Sequence, residues 1–224
     1  MVESEARGWI TGKIVPLFLW SLLLAAELSA LATKVRLLLG PTPREGLGLE
    51  VARHLLTIAF LLLVLAAYVT RLRAVSAAQG FRERVVPMLI FLAGPVGIVV
   101  LNWLQAPPRF QAPRTAVALS VAGLALSLWS LLHLRSAFSI LAEARHVVRT
   151  GPYRFIRHPL YLGEAVTMLG LCLGFGTFTA LILWAAVNGF QLVRARIEEE
   201  KLASVLPEYR SYRQTTRFIL PGLY

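Results

Sequence analysis

The fold of this chain is decided by the stretch Arg145-His-Val-Val-Arg-Thr-Gly-Pro-Tyr-Arg-Phe-Ile-Arg-His-Pro-Leu-Tyr-Leu162. It places several ionisable side chains between two apolar segments that are long enough to lie in a membrane. Such residues are costly at a bilayer border, so those that occur there usually have a function. A second polar stretch, Arg194-Ala-Arg-Ile-Glu-Glu-Glu200, follows directly after the next apolar hairpin. Together the two stretches predict a polar pocket at a membrane surface.

The composition is typical of a multi-pass membrane protein. Of the 224 residues, 57% are hydrophobic and 16% are charged, which does not suit a soluble domain of this length. The net charge of +11 could indicate nucleic-acid binding, but the basic residues lie in short loops between apolar segments. In such loops they serve topology and contact anionic lipid headgroups. We therefore expect membrane lipids as partners and no nucleic acid, while the oligomeric state stays open.

Six apolar runs predict an all-α bundle of about six membrane spans, followed by a cytoplasmic helical segment. The last two runs are shorter than the roughly 20 residues that cross a full bilayer. They predict a short helical hairpin with its turn at Gly174-Phe-Gly176. The predicted organisation is an N-terminal four-span region, 1–134, and a C-terminal core, 135–224. The predicted spans are 14–32, 54–70, 85–103, 115–134, 160–174 and 177–193.

The orientation follows from the distribution of positive charge. Most of the 23 Lys and Arg residues fall on one side of the predicted bilayer, Arg71 and Arg73 among them. Fewer fall on the other side, where Arg44 and Arg109 lie. The positive-inside bias predicts that both termini and both polar stretches are cytoplasmic. The strong preference for arginine over lysine indicates a GC-rich genome, so we expect a bacterial inner membrane.

The residue types present limit the kinds of site that the sequence can form. The single cysteine, Cys172, lies in an apolar run and no Cys/His zinc spacing occurs, so we expect no disulfide and no metal. Aspartate is absent, so carboxylate chemistry must use glutamate. Glu27 lies within the first span, where a charged carboxylate costs roughly 2.5–3.5 kcal/mol. It either lines a polar cavity or is neutralised by a proton or a partner.

The two polar stretches predict groups that face each other. Proline suits the first turn of a helix, so Pro159 places His158 at or next to the N-cap of the fifth span, where free N–H groups favour an anion. Tyr161 follows on the same helical face, and Arg194 and Glu198 are stacked four residues apart on the next helix. A tight hairpin returns the end of its second helix to the start of its first, so the Arg194 and Glu198 pair should face the start of the fifth span. The alternatives are a headgroup-level belt of Tyr, His and Arg, and solvated salt bridges.

Four motifs of the C-terminal third occur in a characteristic order. They are Gly151-Pro-Tyr-x-x-x-Arg157-His-Pro-x-Tyr-x-Gly163, Arg194-x-Arg-x-Glu-Glu199, Leu206-Pro-Glu-Tyr209-x-x-Tyr212 and Arg217-x-x-Leu-Pro-Gly222. In this order and spacing they resemble the isoprenylcysteine carboxyl methyltransferase family of integral membrane enzymes. The resemblance covers 144–224 and does not extend to the first four spans.

This resemblance implies an S-adenosylmethionine-dependent methyltransferase that binds its cofactor on the cytoplasmic side. A lipophilic substrate would arrive from the bilayer, with an isoprenylcysteine-type carboxylate as the favoured acceptor. By position, Arg194 would face the substrate and Glu198 would bind the cofactor, and these two are the implied catalytic residues. Many members have His-x-Leu-Val where this chain has Arg145-His-Val-Val148, so the pattern does not decide between Arg145 and His146. The implied cofactor-binding residues are Arg145, His146, Val147, Val148, Tyr153, His158, Pro159, Leu160, Tyr161 and Glu198.

Three other functions stay open. Related architectures serve methyltransferases of phospholipid or other lipid amines, and also sterol reductases that use a nicotinamide dinucleotide, whose phosphates would need further basic side chains. A non-catalytic scaffold or transporter is the third alternative, and it predicts no cofactor binding; no inverted repeat supports transport. For a carboxylate acceptor, methyl transfer needs positioning and desolvation more than acid or base help.

Overall fold

The chain folds as a helical bundle in the computed structural model, which describes residues 2–41, 46–70, 74–104, 113–139 and 142–219. No strand occurs within these ranges, so the predicted all-α fold is confirmed. Short 3-10 helices at Arg135–Ala137 and Gly151–Arg154 interrupt the connection between the fourth and fifth helices. The helices are α1 (Val2–Leu38), α2 (Leu47–Thr70), α3 (Gly80–Leu104), α4 (Pro113–Leu134), α5 (Pro159–Phe175), α6 (Phe178–Val205) and α7 (Pro207–Thr215).

Four helices of the described ranges are long and apolar enough to cross a membrane. They are α1 over Leu17–Leu38, α2, α4 over Arg114–Leu134, and α6, while α5 is a shorter apolar helix. The third predicted span lies within α3. That helix begins before the span, at Gly80, and its first turn is supported by Glu83, whose carboxylate accepts a hydrogen bond from the Gln79 N–H (2.7 Å). The helical membrane bundle expected from the apolar runs is confirmed.

The last two spans form the predicted hairpin, which turns at Gly176. This residue adopts the left-handed conformation (φ 64°) that glycine accepts at a helix end, and its N–H donates to the Leu173 carbonyl (3.1 Å). Thr177 then caps α6 by accepting a hydrogen bond from the Ala180 N–H (3.3 Å). The 17 residues of α5 make it short, as predicted, whereas α6 has 28 residues and continues past the predicted span. The second polar stretch therefore lies on a continuous helix.

Small residues bring α4 and α5 close together. A β-carbon added to Gly123 of α4 would collide with the backbone N–H of Thr167 and the carbonyl of Gly163, both on α5. Close approach through small residues is a usual way for helices to associate in membranes. This packing holds the beginning of α5 against α4 and so positions the first polar stretch.

We expect Gly123→Ala to destabilise the bundle, because the added methyl group meets backbone atoms that cannot rotate away. Overpacking of this kind costs typically about 1–3 kcal/mol, and a chain of this size loses roughly 2–4 °C of melting temperature per kcal/mol. Thermal unfolding in detergent micelles measures the effect. Gly189→Ala is the matched control, because a β-carbon at this exposed position of α6 meets nothing within 4 Å. Equal melting temperatures of the two variants would contradict the packing argument.

The carboxylate of the first span has partners. Glu27 Oε2 lies 2.6 Å from His54 Nδ1 of α2, and Nε2 of the same ring lies 3.0 Å from Arg53 Nη2. Lys34 and Glu50 form a second ion pair between α1 and α2. Of the interpretations that the sequence left open, the structure supports a paired carboxylate. The Glu27–His54 pair therefore joins α1 to α2.

Parts of the sequence prediction lie outside the described residues. They are Arg44, Arg71, Arg73 and Arg109 of the charge distribution and the Leu220-Pro-Gly222 end of the last motif. The division of the chain after 134 and the cytoplasmic placement of both termini stay predictions.

Candidate active site

The segment that joins α4 to α5 is anchored to two distant parts of the chain. The Ala144 N–H donates to the Ser76 carbonyl (3.0 Å), and the Ser76 N–H donates back to Ala144 (3.3 Å). At the other end, the Arg157 N–H donates to the Arg217 carbonyl (2.8 Å). The first polar stretch is therefore held between the loop before α3 and the residues that follow α7.

The beginning of α5 has the predicted geometry. His158 is the N-cap and Pro159 is the first helical residue. The imidazole ring stacks on the ring of Tyr161, with 5.3 Å between ring centres and 5° between planes. The His158 side chain makes no hydrogen bond that caps this turn, so the N-cap residue leaves the first N–H groups of α5 without a side-chain acceptor. Such groups at a helix start bind anions.

The predicted juxtaposition across the hairpin is confirmed. The Tyr161 hydroxyl donates to Glu198 Oε1 (2.5 Å), and Arg194 Nε donates to the same oxygen (3.1 Å). The Arg194 guanidinium also lies over the Tyr161 ring, 5.2 Å from its centre. The Arg194 side chain is only 4% exposed, whereas that of Glu198 is 20% exposed. Glu198 is therefore the more accessible member of this ion pair.

A pocket joins these groups to the apolar helices. Its cavity volume is about 130 Å³, and the cavity is partly open to the exterior. Its apolar end is formed by residues of the N-terminal helices, namely Trp20, Phe60, Phe91 and Leu134. Pro159 is fully buried, does not line the pocket and serves the helix start. The other predicted site residues line it: Arg145, His146, Val147, Val148, Tyr153, His158, Leu160, Tyr161, Arg194 and Glu198.

The structure distinguishes the two residues between which the family pattern could not decide. Arg145 is buried, and its Nη2 donates to Glu143 Oε2 (2.6 Å). His146 is exposed, although both residues line the pocket. Arg145 is thus held in place by an internal ion pair, while His146 stands at the accessible edge.

A second polar cluster lies next to the pocket, and its connections are not apparent from the sequence. Glu199 Oε1 accepts a hydrogen bond from Arg157 Nε (2.6 Å) and lies 3.0 Å from His158 Nε2, while Oε2 lies 3.3 Å from Arg213 Nε. Arg157 also donates to the carbonyls of Arg213 and Thr216. The side chains of Arg157 and Glu199 are each 4% exposed. This cluster ties the beginning of α5 to α6 and to the segment after α7.

Three tyrosines form an aromatic wall toward α7. The Tyr212 hydroxyl donates to the Tyr153 carbonyl (2.6 Å), and the rings of Tyr209 and Tyr212 meet edge to face at 5.7 Å. Burial raises the pKa of the Tyr153 and Tyr209 hydroxyls well above the usual value, and it raises the pKa of Tyr212 to about 12. All three side chains therefore stay neutral at physiological pH, and the wall carries no negative charge.

Much of the chain that forms this site is similar to a known protein family. Residues 113–208 match the phospholipid methyltransferase family. That family of membrane methyltransferases is related to the isoprenylcysteine methyltransferases, so similarity to membrane methyltransferases is confirmed, while the isoprenylcysteine family itself is not. Searches of curated proteins and of solved structures gave no match. The apolar helices and this similarity together indicate an integral membrane protein.

The segment similar to phospholipid methyltransferases runs from the start of α4 into α7. It includes the closely packed α4–α5 pair and the polar groups His158, Tyr161, Arg194 and Glu198. The helices α1 to α3, which supply most of the apolar end of the pocket, lie outside it.

The same segment contributes a carboxylate that the sequence prediction missed. Glu164 lines the pocket one turn into α5, and Gln191 Nε2 donates to its Oε2 (2.9 Å). It also interacts electrostatically with Arg194 and Glu198. Two signals were available in the sequence. An ionisable residue within a short apolar span is unusual, and Glu164 follows Tyr161 by three residues on the same helical face.

Proposed function

We propose that this protein transfers a methyl group from S-adenosylmethionine to the amine headgroup of a membrane phospholipid. The observation that carries the proposal is a pocket with a polar end of His158, Tyr161, Arg194 and Glu198 and an apolar end of membrane-helix side chains. It lies largely within the segment similar to phospholipid methyltransferases. A pocket of this kind suits a polar cofactor and a lipid tail at the same time.

The residues at the polar end fit S-adenosylmethionine, which supplies an electrophilic methyl group when bound. The uncapped first turn of α5 suits its carboxylate, because backbone N–H groups at a helix start attract anions. Glu198 is accessible and suits its ammonium group through a charge-assisted hydrogen bond. The neutral tyrosine wall at Tyr153 and Tyr212 suits the adenine ring.

The other residues would hold these groups in place and exclude water. Tyr161 is fixed from both sides, because its ring stacks on His158 and its hydroxyl donates to Glu198. His158 is fixed in turn by its contact with Glu199. A methyl transfer gains chiefly from such orientation and desolvation of the reacting groups.

The charges near Arg194 favour an amine as the acceptor. Two carboxylates, Glu164 and Glu198, interact with this one guanidinium, so this part of the pocket does not present an excess of positive charge. A third anion would compete with these two carboxylates for Arg194, whereas an amine complements them. We therefore place the amine before the carboxylate acceptor that the sequence resemblance favoured.

The second candidate acceptor is a carboxylate of the prenylcysteine type. It is supported by the burial of Arg194, because a buried guanidinium is well suited to orient a carboxylate. Both candidates place the reaction at the cytoplasmic surface, where we propose that the two polar stretches lie.

The proposal is tested on the purified protein in detergent. Calorimetry should show saturable binding of S-adenosylmethionine, and tritiated cofactor should label phosphatidylethanolamine in mixed micelles. Labelling of a farnesylated cysteine alone would favour the second candidate. A protein that binds no cofactor at millimolar concentration would be neither kind of methyltransferase.

A further inference from the structure

Glu164 has no part in holding the proposed cofactor, yet it lines the same pocket. Its carboxylate is half-buried and accepts a hydrogen bond from Gln191, a neutral side chain on α6. Ionisable groups at membrane depth are costly and mark functional positions. A carboxylate that does not bind the cofactor would therefore have another chemical role beside an amine acceptor.

The partner of Glu164 suits both protonation states of the carboxyl group. Gln191 Nε2 donates to the carboxylate at 2.9 Å, while its Oε1 is buried without a hydrogen-bond partner among the described residues. A half-turn of the amide exchanges the donor for the acceptor. The unpaired oxygen would then accept a hydrogen bond from a protonated Glu164. After Glu164 gains a proton, its carboxyl group and the Gln191 amide would therefore still be hydrogen-bonded to each other.

We infer that Glu164 accepts the proton that an amine must lose before it can be methylated. This inference rests on the proposed function. An ammonium headgroup gives one proton to the Glu164 carboxylate and becomes a neutral amine. The nitrogen lone pair forms the N–C bond as the C–S bond breaks, and the electron pair of that bond stays on sulfur as a thioether. The product is a methylated ammonium, and the proton on Glu164 leaves through the open side of the pocket.

Glu198 is less suited to this step because its Oε1 already accepts hydrogen bonds from Arg194 and Tyr161. Glu164 instead has an interchangeable neutral partner. The titratable groups that interact with Glu164 are Tyr153 before α5, Tyr161 on α5, and Arg194 and Glu198 on α6.

The test is the rate of phosphatidylethanolamine methylation by Glu164→Gln between pH 6.5 and pH 9.5. The amide cannot accept the proton, so the rate at neutral pH should fall about 10²-fold, as is usual for loss of a general base. The deficit should shrink at high pH, where the substrate amine loses its proton to water. Cofactor affinity, measured by calorimetry, should not change. Glu200→Gln is the control, because Glu200 is exposed and pairs with Arg82 outside the pocket.

The possible outcomes separate the proton-acceptor role of Glu164 from the proposed function. A wild-type rate in Glu164→Gln at neutral pH, or a deficit that is equal at every pH, would overturn the proton-acceptor role and leave the proposed function standing. If Glu164→Gln does not fold, Glu164→Met replaces it, and an unchanged rate at neutral pH in that variant overturns the role as well. Wild-type protein that binds cofactor but labels only farnesylated cysteine removes the amine chemistry. Absence of cofactor binding in the wild type removes the proposed function itself.

Discussion

Glu198→Gln is expected to abolish most S-adenosylmethionine binding. The substitution keeps the shape of the side chain but removes the charge that we propose for contact with the cofactor ammonium. Loss of one partner of a partly buried charge pair costs about 2–5 kcal/mol, which corresponds to a loss of affinity between roughly 30-fold and several thousand-fold. Isothermal calorimetry on the detergent-solubilised variant measures this directly.

Two further variants separate the effect of the Glu198 charge from the effects of the residues that contact Glu198. Tyr161→Phe removes only the hydroxyl that donates to Glu198, so its affinity should fall about tenfold, as for one hydrogen bond to a charged group. Arg194→Ala should reduce turnover more than cofactor affinity, because we assign Arg194 to the acceptor side. If Glu198→Gln binds cofactor as tightly as wild type, the assignment of Glu198 is wrong.

Glu199→Gln should have the largest effect on stability. Glu199 is the common partner of Arg157, His158 and Arg213. Its neutralisation leaves the Arg157 charge buried without compensation. Breaking a buried pair in this way costs about 3–5 kcal/mol, or roughly 6–20 °C in melting temperature for a chain of this size.

The neighbouring glutamate supplies the control. Glu200 is one residue away on the same helix, but it pairs with Arg82 at the surface, where the two side chains are 57% and 66% exposed. Such pairs contribute at most about 1 kcal/mol, so Glu200→Gln should melt nearly as the wild type. Similar melting temperatures of the two glutamine variants would show that the buried cluster does not hold the C-terminal segment.

Much of the site could be predicted because its geometry is local. The position of His158 before Pro159 determines the N-cap, and the four-residue spacing of Arg194 and Glu198 determines their pairing. The hairpin then brings the two together, because its turn is short. None of these steps depends on how the rest of the bundle packs.

The ion-pair partners of Glu199 could not be predicted, because they are not determined by local geometry. Three consecutive glutamates point in directions about 100° apart on a helix, and their spacing does not say which one is buried. That choice depends on where the segment after α7 returns, and this is set by the backbone contact of Arg157 with Arg217. The apolar end of the pocket could not be predicted from the sequence either, because it also depends on tertiary packing. Trp20, Phe60 and Phe91 are ordinary apolar residues of their spans, and only the packing of three helices brings them to the pocket.

The shortness of α5 has a consequence for the surrounding lipid. Its 17 residues extend over about 26 Å, less than the roughly 30 Å of a typical hydrocarbon core. A bilayer can adapt to such a helix by thinning, or the helix start can lie below the headgroup plane. Under the proposed function, a phospholipid headgroup would then meet the site without leaving its leaflet. Turnover would depend on the acyl-chain length of the host membrane, so the enzyme would respond to bilayer thickness as well as to its substrate.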